Sequence, residues 1–140
     1  EARLVARLQK AGVARLSLVA EAEGEIVGHI LFSDLPIAAG EKTIPAVALA
    51  PMAVLPAYQR QGIGSELVRR GLQACRERNI DAVIVLGHPE FYPRFGFSAE
   101  LAEPIEAPFS GPAFMAIELR PSALSGIRGR VTYPPEFFEM

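Results

Sequence analysis

The segment Gln59-Arg60-Gln61-Gly62-Ile63-Gly64 combines residue types that can hold an anion. Its two glycines lack Cβ atoms, so the backbone can adopt unusual dihedral angles and a ligand can approach it closely. The segment leads into a predicted helix that starts near Ser65. The first N–H groups of a helix have no intrahelical partner, and the helix dipole favours negative charge there. Arg60 can add charge-assisted hydrogen bonds, so we expect a pyrophosphate at this loop.

The two glycines of this segment also allow other interpretations. A pair of glycines after Pro56 can also make a tight strand-to-helix turn and nothing more. The segment is not a Walker A loop, because no Gly-Lys-Ser/Thr follows it, and it lacks the third glycine of a dinucleotide-binding fingerprint. The loop by itself therefore leaves a purely structural turn open.

The elements that would position this loop form a strand–loop–helix–strand unit. Ile44 to Val54 is apolar and strand-like, although Pro45 and Pro51 interrupt it; since proline cannot donate to a sheet ladder, we expect a bulge or an unpaired edge near Pro51. Ser65 to Asn79 carries an apolar stripe at helical spacing. Ala82 to Leu86 is a continuous apolar run, which is typical of a buried strand. We expect the two strands to be parallel.

The remainder of the chain adds shorter elements around this unit. The pattern predicts a short helix from Glu1 to Lys10, and a hairpin of strands Arg15 to Ala22 and Glu25 to Ser33. It predicts a loop from Ser33 to Lys42. Two later strands are predicted, at Ala113 to Leu119 and at Arg128 to Tyr133. The expected class is α+β, with a mixed sheet flanked by a few helices.

Composition limits the classes of partner and compartment. The chain has 140 residues, half of them apolar, and a net charge of −2. Its 14 basic residues are dispersed, whereas binding to a phosphate backbone needs a concentrated basic surface, so nucleic acid is not expected. The apolar runs are too short to span a bilayer. With a single cysteine, Cys75, and no leader pattern, we expect a cytoplasmic protein.

Two motifs in this order resemble those of the GNAT acyltransferase superfamily. The most specific GNAT signature is Gln/Arg-x-x-Gly-x-Gly/Ala after a strand that ends in Val-x-Pro; here Val54-Leu55-Pro56 precedes Gln59–Gly64. A second signature, Tyr-x-x-x-Gly-Phe, reads Tyr92-Pro93-Arg94-Phe95-Gly96-Phe97. The resemblance is firm from Leu49 to Phe97. The sequence around the two motifs is most similar to a predicted-acetyltransferase branch of undefined substrate.

The resemblance implies a fold and a ligand. The fold would be a mixed, mostly antiparallel sheet with a splayed central parallel strand pair, flanked by helices. Acetyl-CoA would lie in the gap between the two parallel strands, and no metal is needed. The implied cofactor-binding residues are Met52, Ala53 and Val54 for the pantetheine arm, and Gln59, Arg60, Gln61, Gly62, Ile63, Gly64 and Ser65 for the pyrophosphate. The domain would cover residues 1–140, with its first strand upstream of Glu1 or absent.

The implied reaction is direct transfer of the acetyl group to an amine of a small molecule or peptide. The N–H of Ala53 or of a neighbouring residue is the candidate donor to the oxyanion, and Tyr92 matches the family position of the general acid. His88 and Glu90 are candidates for the base. The stretch before Tyr92 is compressed relative to the family pattern, so contacts credited there to an asparagine are not carried over.

Several residues receive a structural interpretation instead. His29 is expected to be a structural histidine within a strand, and Cys75 a core residue on the apolar face of the helix. The helix arginines are expected to form a solvated face; they are Arg69, Arg70, Arg76 and Arg78. Arg60 and Arg94 are better candidates for the CoA phosphates.

Two alternatives to the enzyme remain open at this point. One is a CoA-binding sensor or interaction domain without catalysis, and the other is an unrelated anion-binding fold. A homodimer also remains open.

Overall fold

The computed structural model describes residues 2–7, 14–108 and 110–133. Within them lie ten strands and two α-helices, with short 3-10 helices at Pro56–Tyr58 and Tyr92–Phe95. The strands are β1 (Ala2–Arg7), β2 (Ala14–Ala22), β3 (Glu25–Asp34), β4 (Ile37–Ala39), β5 (Lys42–Ile44), β6 (Ala46–Val54), β7 (Ala82–Leu86), β8 (Ile105–Glu106), β9 (Phe114–Glu118) and β10 (Gly129–Arg130). The helices are α1 (Ile63–Glu77) and α2 (Ala99–Ala102).

Six strands form the main sheet, in the order β1-β2-β3-β6-β7-β9. All neighbouring pairs are antiparallel except β6 and β7, which are parallel. The predicted hairpin is confirmed: β2 and β3 pair with Ala22 opposite Glu25, and Glu23 and Gly24 form the turn with φ values of 54° and 80°. The α+β class, with a mostly antiparallel sheet around one parallel pair, is also confirmed.

The centre of the sheet opens between β6 and β7. The register of β3 against β6 shifts between Ile30 and Phe32, so β6 carries an extra residue near Pro51, where the proline predicts a bulge. The parallel pairing of β6 with β7 ends at Ala48 opposite Ile84. Beyond that point no strand among the described residues pairs with the end of β6 on the β7 side. The predicted splay is therefore present, and it leaves backbone groups of β6 available to a ligand.

Helix α1 covers one face of the sheet at β2, β3 and β6. Its buried residues are Ile63, Leu67, Val68, Gly71, Leu72 and Cys75, which matches the apolar stripe in the sequence. Contact with the sheet is close, because a Cβ on Gly71 would collide with the Phe32 ring, and one on Gly28 would lie 3.2 Å from Ile63 Cγ2. The helix start is thus held firmly over β3 and β6. No helix among the described residues has the length and apolarity required to cross a lipid bilayer.

A second, four-stranded sheet runs in the order β5-β4-β10-β8. The loop predicted from Ser33 to Lys42 is therefore partly wrong, because β4 and β5 form a small hairpin within it. Ile37 and Ile44 lie opposite each other in this hairpin and are both buried. They join a second core on the sheet face away from α1, together with Ala46, Ala48, Ala82 and Ile84. Burial of these apolar side chains stabilises strands too short to be recognised from their sequence.

The N-terminal prediction of a helix from Glu1 to Lys10 is wrong for residues 2–7. These residues form β1, which pairs antiparallel with β2 from Ala2 opposite Ala22 to Arg7 opposite Ser17. A helix of about ten residues is marginal in water, so pairing with an existing sheet edge can override its propensity. The other residues of that prediction lie outside the described part of the chain.

Candidate functional site

A cleft of about 790 Å³ lies where the glycine loop, the end of β6 and the segment after β7 meet. Its lining residues are Met52, Ala53, Val54, Tyr58, Gln59, Arg60, Gly62, Gly64, Ser65, His88, Phe91 and Arg94. Most of the residues that the sequence assigns to a ligand are therefore brought together. Gln61, Ile63 and Tyr92 do not line the cleft with these residues.

The loop contains a run of backbone donors beside the cleft. Arg60 and Gly62 have φ values of 64° and 85°, and Gly62 caps α1 without a side-chain hydrogen bond. The first N–H to donate into the helix is that of Glu66, 3.0 Å from the Gly62 carbonyl oxygen. The six preceding amides, from Arg60 to Ser65, donate to no described residue. A run of unpaired N–H groups at a helix start binds anions, and phosphates above all.

Two glutamines brace the loop from within. Gln59 Nε2 donates to the Val54 carbonyl oxygen at 2.9 Å, and Gln61 Nε2 donates to the Ala57 carbonyl oxygen at 3.3 Å. Both side chains are turned back towards the chain that precedes them. The glutamines therefore hold the loop in shape, which leaves its backbone amides to meet a ligand.

Gly64 forms part of the cleft wall beside the helix start. A Cβ built there would lie 3.7 Å from Met52 Cε and 3.9 Å from both Val54 Cγ2 and Phe91 Cζ. These are ordinary contact distances, so a methyl group fits but fills the available space. Any longer side chain would extend into the cleft.

The free edge of β6 has a defined order of donors and acceptors. Leu55 N–H donates to the Val27 carbonyl oxygen at 2.8 Å, so Leu55 faces β3. Residues of an antiparallel strand alternate in the side to which their backbone groups point. Ala53 therefore also faces β3, whereas Met52 and Val54 face the gap, in agreement with the bond from Gln59 to the Val54 carbonyl. The candidate oxyanion donor is thus a neighbour of Ala53, namely the N–H of Met52 or of Val54.

Tyr92 is the first residue of the 3-10 helix that follows β7, and its ring is largely buried. The ring packs edge-on against Phe91 and Phe97 at centroid distances of 5.0 and 5.6 Å. It also lies over Gly87, where a Cβ would come within 2.5 Å of Tyr92 Cε2. The glycine at the end of β7 therefore makes room for the ring.

The Tyr92 hydroxyl remains protonated and reaches solvent. Burial raises the pKa of Tyr92 above its ordinary value of 10.0, because desolvation disfavours the phenolate. No fully buried polar side-chain atom among the described residues lacks a partner, and none of those residues bonds to this oxygen. The oxygen must therefore be in contact with solvent. A neutral, accessible phenol of this kind can donate a proton or a hydrogen bond.

Two histidines lie near the end of β6, on different elements. His88 is exposed and lines the cleft, whereas Glu90, the other base candidate, is exposed outside it. His29 is half-buried in β3, directly opposite Ala53, and its Nε2 lies 3.1 Å from Ser17 Oγ. Gly28 faces α1, so the alternation of a strand directs His29 and Ala53 to the other face of the sheet. The contact with Ser17 fits the structural role predicted for His29, and the residue also lies beside the end of β6.

The cleft also contains aromatic and cationic side chains. Arg94 lines it with its guanidinium 5.5 Å from the Phe91 ring centroid, in cation–π geometry. Tyr58 and Phe91 line the cleft as well, and neither is among the site residues predicted from the sequence. Their only sequence signal is proximity to the two motifs. Cys75, in contrast, is 0% exposed in the core under α1, as predicted.

Comparison with known proteins agrees with this architecture. The model of the acetyltransferase (GNAT) family matches residues 3–97. The uncharacterized N-acetyltransferase YhbS of Escherichia coli K12 is 36% identical over 140 residues, covering 98% of this chain and 83% of the relative. The uncharacterized N-acetyltransferase YjhQ of the same strain is 47% identical over 100 residues, covering 69% of this chain and 55% of the relative.

Solved structures give the same result. The crystal structure of YhbS from Escherichia coli in complex with CoA has a TM-score of 0.79 and 34% identity, and covers 90% of this chain and 71% of the other. A GNAT family acetyltransferase from Brucella melitensis in complex with acetyl-CoA has a TM-score of 0.68 and 34% identity, covering 89% and 70%.

Proposed function

The chain belongs to the GNAT family of acetyltransferases, and from that membership we propose that it binds acetyl-CoA in this cleft and acetylates an amine directly. The acceptor would be a small molecule or a peptide, and residues 1–140 would act as one N-acetyltransferase domain. The observation that carries the proposal is the run of six unpaired amides beside the free edge of β6. Similar chains in complex with CoA and acetyl-CoA support the choice of ligand.

The donor site fits the chemistry of CoA along its length. The amides from Arg60 to Ser65 would bind the pyrophosphate, aided by the Arg60 guanidinium group, and Arg94 would contact a CoA phosphate. The gap-facing groups of β6 are the N–H and C=O of Met52 and the N–H of Val54. One of the two N–H groups would face the thioester, and the other groups would pair with the amides of the pantetheine arm. The Val54 carbonyl accepts from Gln59 already, so it contributes by holding the loop against β6. Ala53 is also among the residues that line the cleft.

Two groups of this site would serve the reaction itself, a backbone N–H near the end of β6 and the Tyr92 hydroxyl. Acetyl-CoA supplies a thioester whose carbonyl oxygen gains negative charge as the amine attacks. The Met52 or Val54 N–H, directed into the gap, would stabilise that charge, because a donor fixed in advance needs no reorganisation during the reaction. Tyr92 would protonate the departing sulfur through its neutral hydroxyl.

Direct transfer predicts that Cys75 has no covalent role. Cys75→Ala should leave the turnover rate near wild type, because the thiol is buried in the core and does not line the cleft. Loss of the buried sulfur should lower stability by about 1 kcal/mol, or roughly 3 °C in Tm. Steady-state kinetics and thermal unfolding measure the two effects. An acetyl group found on Cys75 by mass spectrometry would contradict direct transfer.

The acceptor would approach from the sheet face opposite α1. A donor held at the start of α1 enters the gap from the α1 side, so an amine that meets it without displacing it comes from the other face. His29 lies on that face beside Ala53, and nearly buried Ser17 orients its ring. His29 would therefore take the proton of the amine, directly or through one water. His88, on the cleft side, is the competing base.

His29→Gln should lower kcat/KM for the amine by about 10-fold while the Kd for acetyl-CoA stays unchanged. This loss is below the usual 10²–10⁴ for a general base, because the neutral fraction of the amine still reacts. Glutamine retains a polar contact with Ser17. The loss should shrink for an aromatic amine, which is already neutral at pH 7. His88→Gln is the matched comparison, and a larger loss in that variant would assign the base to His88.

A screen for thiol release tests the proposal as a whole. Acetyl-CoA would be supplied with a panel of amines, antibiotics and peptides, and acetyl-CoA binding would be measured by calorimetry in parallel. We expect binding and turnover with at least one acceptor class. Binding without turnover across a broad panel would indicate a CoA-binding sensor instead, and absence of binding would exclude both functions.

A further inference from the structure

A second, smaller pocket of about 230 Å³ lies between α1 and the 3-10 helix at Tyr92–Phe95. Three of its five lining residues are arginines. The five are Arg69, Leu72, Arg76, Arg94 and Phe95. No carboxylate is part of the lining. A concave site with three cations and no anion is suited to a ligand with concentrated negative charge.

Two arginines of this pocket stack on aromatic rings, and the only ion pair that any of the three makes with a described residue is a long one from Arg69. The Arg69 guanidinium lies 5.4 Å from the Phe95 ring centroid, and that of Arg94 lies 5.5 Å from the Phe91 centroid. Glu66, the carboxylate nearest to them in the ion pairs of α1, binds Arg70 at 2.9 Å and approaches Arg69 only to 3.9 Å. Arg76 and Arg94 have no ion-pair partner among the described residues. Stacked guanidinium groups with free N–H donors are well suited to phosphate.

The pocket adjoins the proposed donor cleft. Arg94 lines both, so the cleft and the pocket share this side chain. Arg69 follows Ile63, the first residue of α1, by six residues, which is about 9 Å along the helix axis. A group one ribose away from a pyrophosphate at the start of α1 can span a distance of this order. CoA carries such a group, since its adenosine ribose bears a 3′-phosphate.

We propose that the Arg69–Arg76–Arg94 pocket binds the 3′-phosphate of CoA and so distinguishes CoA from 3′-dephospho-CoA. This rests on the proposed function, because it extends the donor site to its nucleotide end. Two neighbouring arginines, Arg70 in α1 and Arg78 just after it, are held elsewhere: Arg70 by Glu66, and Arg78 by the Ala74 carbonyl oxygen at 3.0 Å. The helix arginines that the sequence predicts to form one solvated face are thus of two kinds. Arg69 and Arg76 line the pocket, whereas Arg70 and Arg78 do not.

The test compares two ligands against matched pairs of variants by calorimetry. Wild-type protein should bind CoA about 10-fold more tightly than 3′-dephospho-CoA, since each exposed arginine–phosphate contact is worth about threefold. Arg69→Gln combined with Arg76→Gln should remove most of this preference by weakening CoA alone. Arg70→Gln combined with Arg78→Gln removes the same charge from the same helix and should preserve it. Added salt should reduce the wild-type preference.

The outcomes separate this proposal from the function it rests on. Equal affinity of the wild type for both ligands would overturn the pocket assignment and leave the donor cleft standing. The pocket assignment would also be overturned if the Arg69/Arg76 variant lost equal affinity for both ligands, or if the Arg70/Arg78 variant lost the preference for CoA to the same extent. If the wild type bound neither ligand, the pocket and the proposed function would both fall.

Discussion

Gly64→Glu is expected to abolish measurable binding of acetyl-CoA, with a loss of at least about 100-fold. A side chain at this position extends into the cleft beside Met52 and Phe91. It would also place a carboxylate next to amides that have no other anion to bind. Like charges about 4 Å apart near a protein surface repel by about 4 kcal/mol, which exceeds a 100-fold change in affinity. Calorimetry with acetyl-CoA measures the loss, and circular dichroism checks that the fold persists.

Gly64→Ala is the matched control for this experiment. Its Cβ makes contacts of 3.7 Å or more, and alanine is the better helix former, so the variant should fold at least as well as wild type. Its affinity should fall only slightly, because a methyl group carries no charge and stays at the cleft wall. Unchanged affinity in Gly64→Glu, with its fold intact, would show that the loop does not hold the pyrophosphate.

Tyr92→Phe is expected to lower kcat and kcat/KM together, by roughly 10-fold to 100-fold, with little change in acetyl-CoA affinity. The hydroxyl would act mainly in the transition state, so its removal lowers both kcat and kcat/KM. General-acid catalysis is typically worth about 10²–10⁴-fold, and a thiolate leaves readily without it, which places the effect at the low end. The phenyl ring keeps the contacts of Tyr92 with Gly87, Phe91 and Phe97.

Tyr133→Phe provides the control for removing a buried phenol. Tyr133 lies in the second core, and burial raises its pKa to about 12. Its replacement can affect stability but should leave the rate per folded molecule unchanged. Equal rates for wild type and Tyr92→Phe would remove Tyr92 from the mechanism without removing the acetyltransferase assignment. Steady-state kinetics on the best amine from the screen decide between these outcomes.

The central unit of the fold was predictable because its signals are local. The apolar stripe of α1, the glycines before it and the apolar run of β7 each follow from spacing within a few residues. Pro51 likewise predicts an irregularity in β6, since a missing N–H must interrupt a ladder. The anion loop could be recognised on the same basis, because a helix start has free amides whatever surrounds it.

Elements that depend on partners far along the chain were not predictable to the same degree. Residues 2–7 pair with β2, and the β4–β5 hairpin is stabilised by a core shared with β6, β7 and β9. Their own sequences contain neither a clear period nor enough length. Such segments take the conformation that completes a sheet, and that information lies in the partner strand.

The sequence by itself determined which groups this protein has for chemistry: a glycine loop before a helix, a tyrosine after a strand and a set of arginines on α1. Only the tertiary structure decided in which direction each group points and which neighbours it has. Strand alternation turned the backbone of Met52 and Val54, and not that of Ala53, towards the gap. Packing of the Tyr92–Phe95 segment against α1 drew Arg69, Arg76 and Arg94 around one pocket and left Arg70 outside. The reason is physical: residue type sets what a group can bind, whereas its direction and neighbours come from contacts between elements distant in the chain.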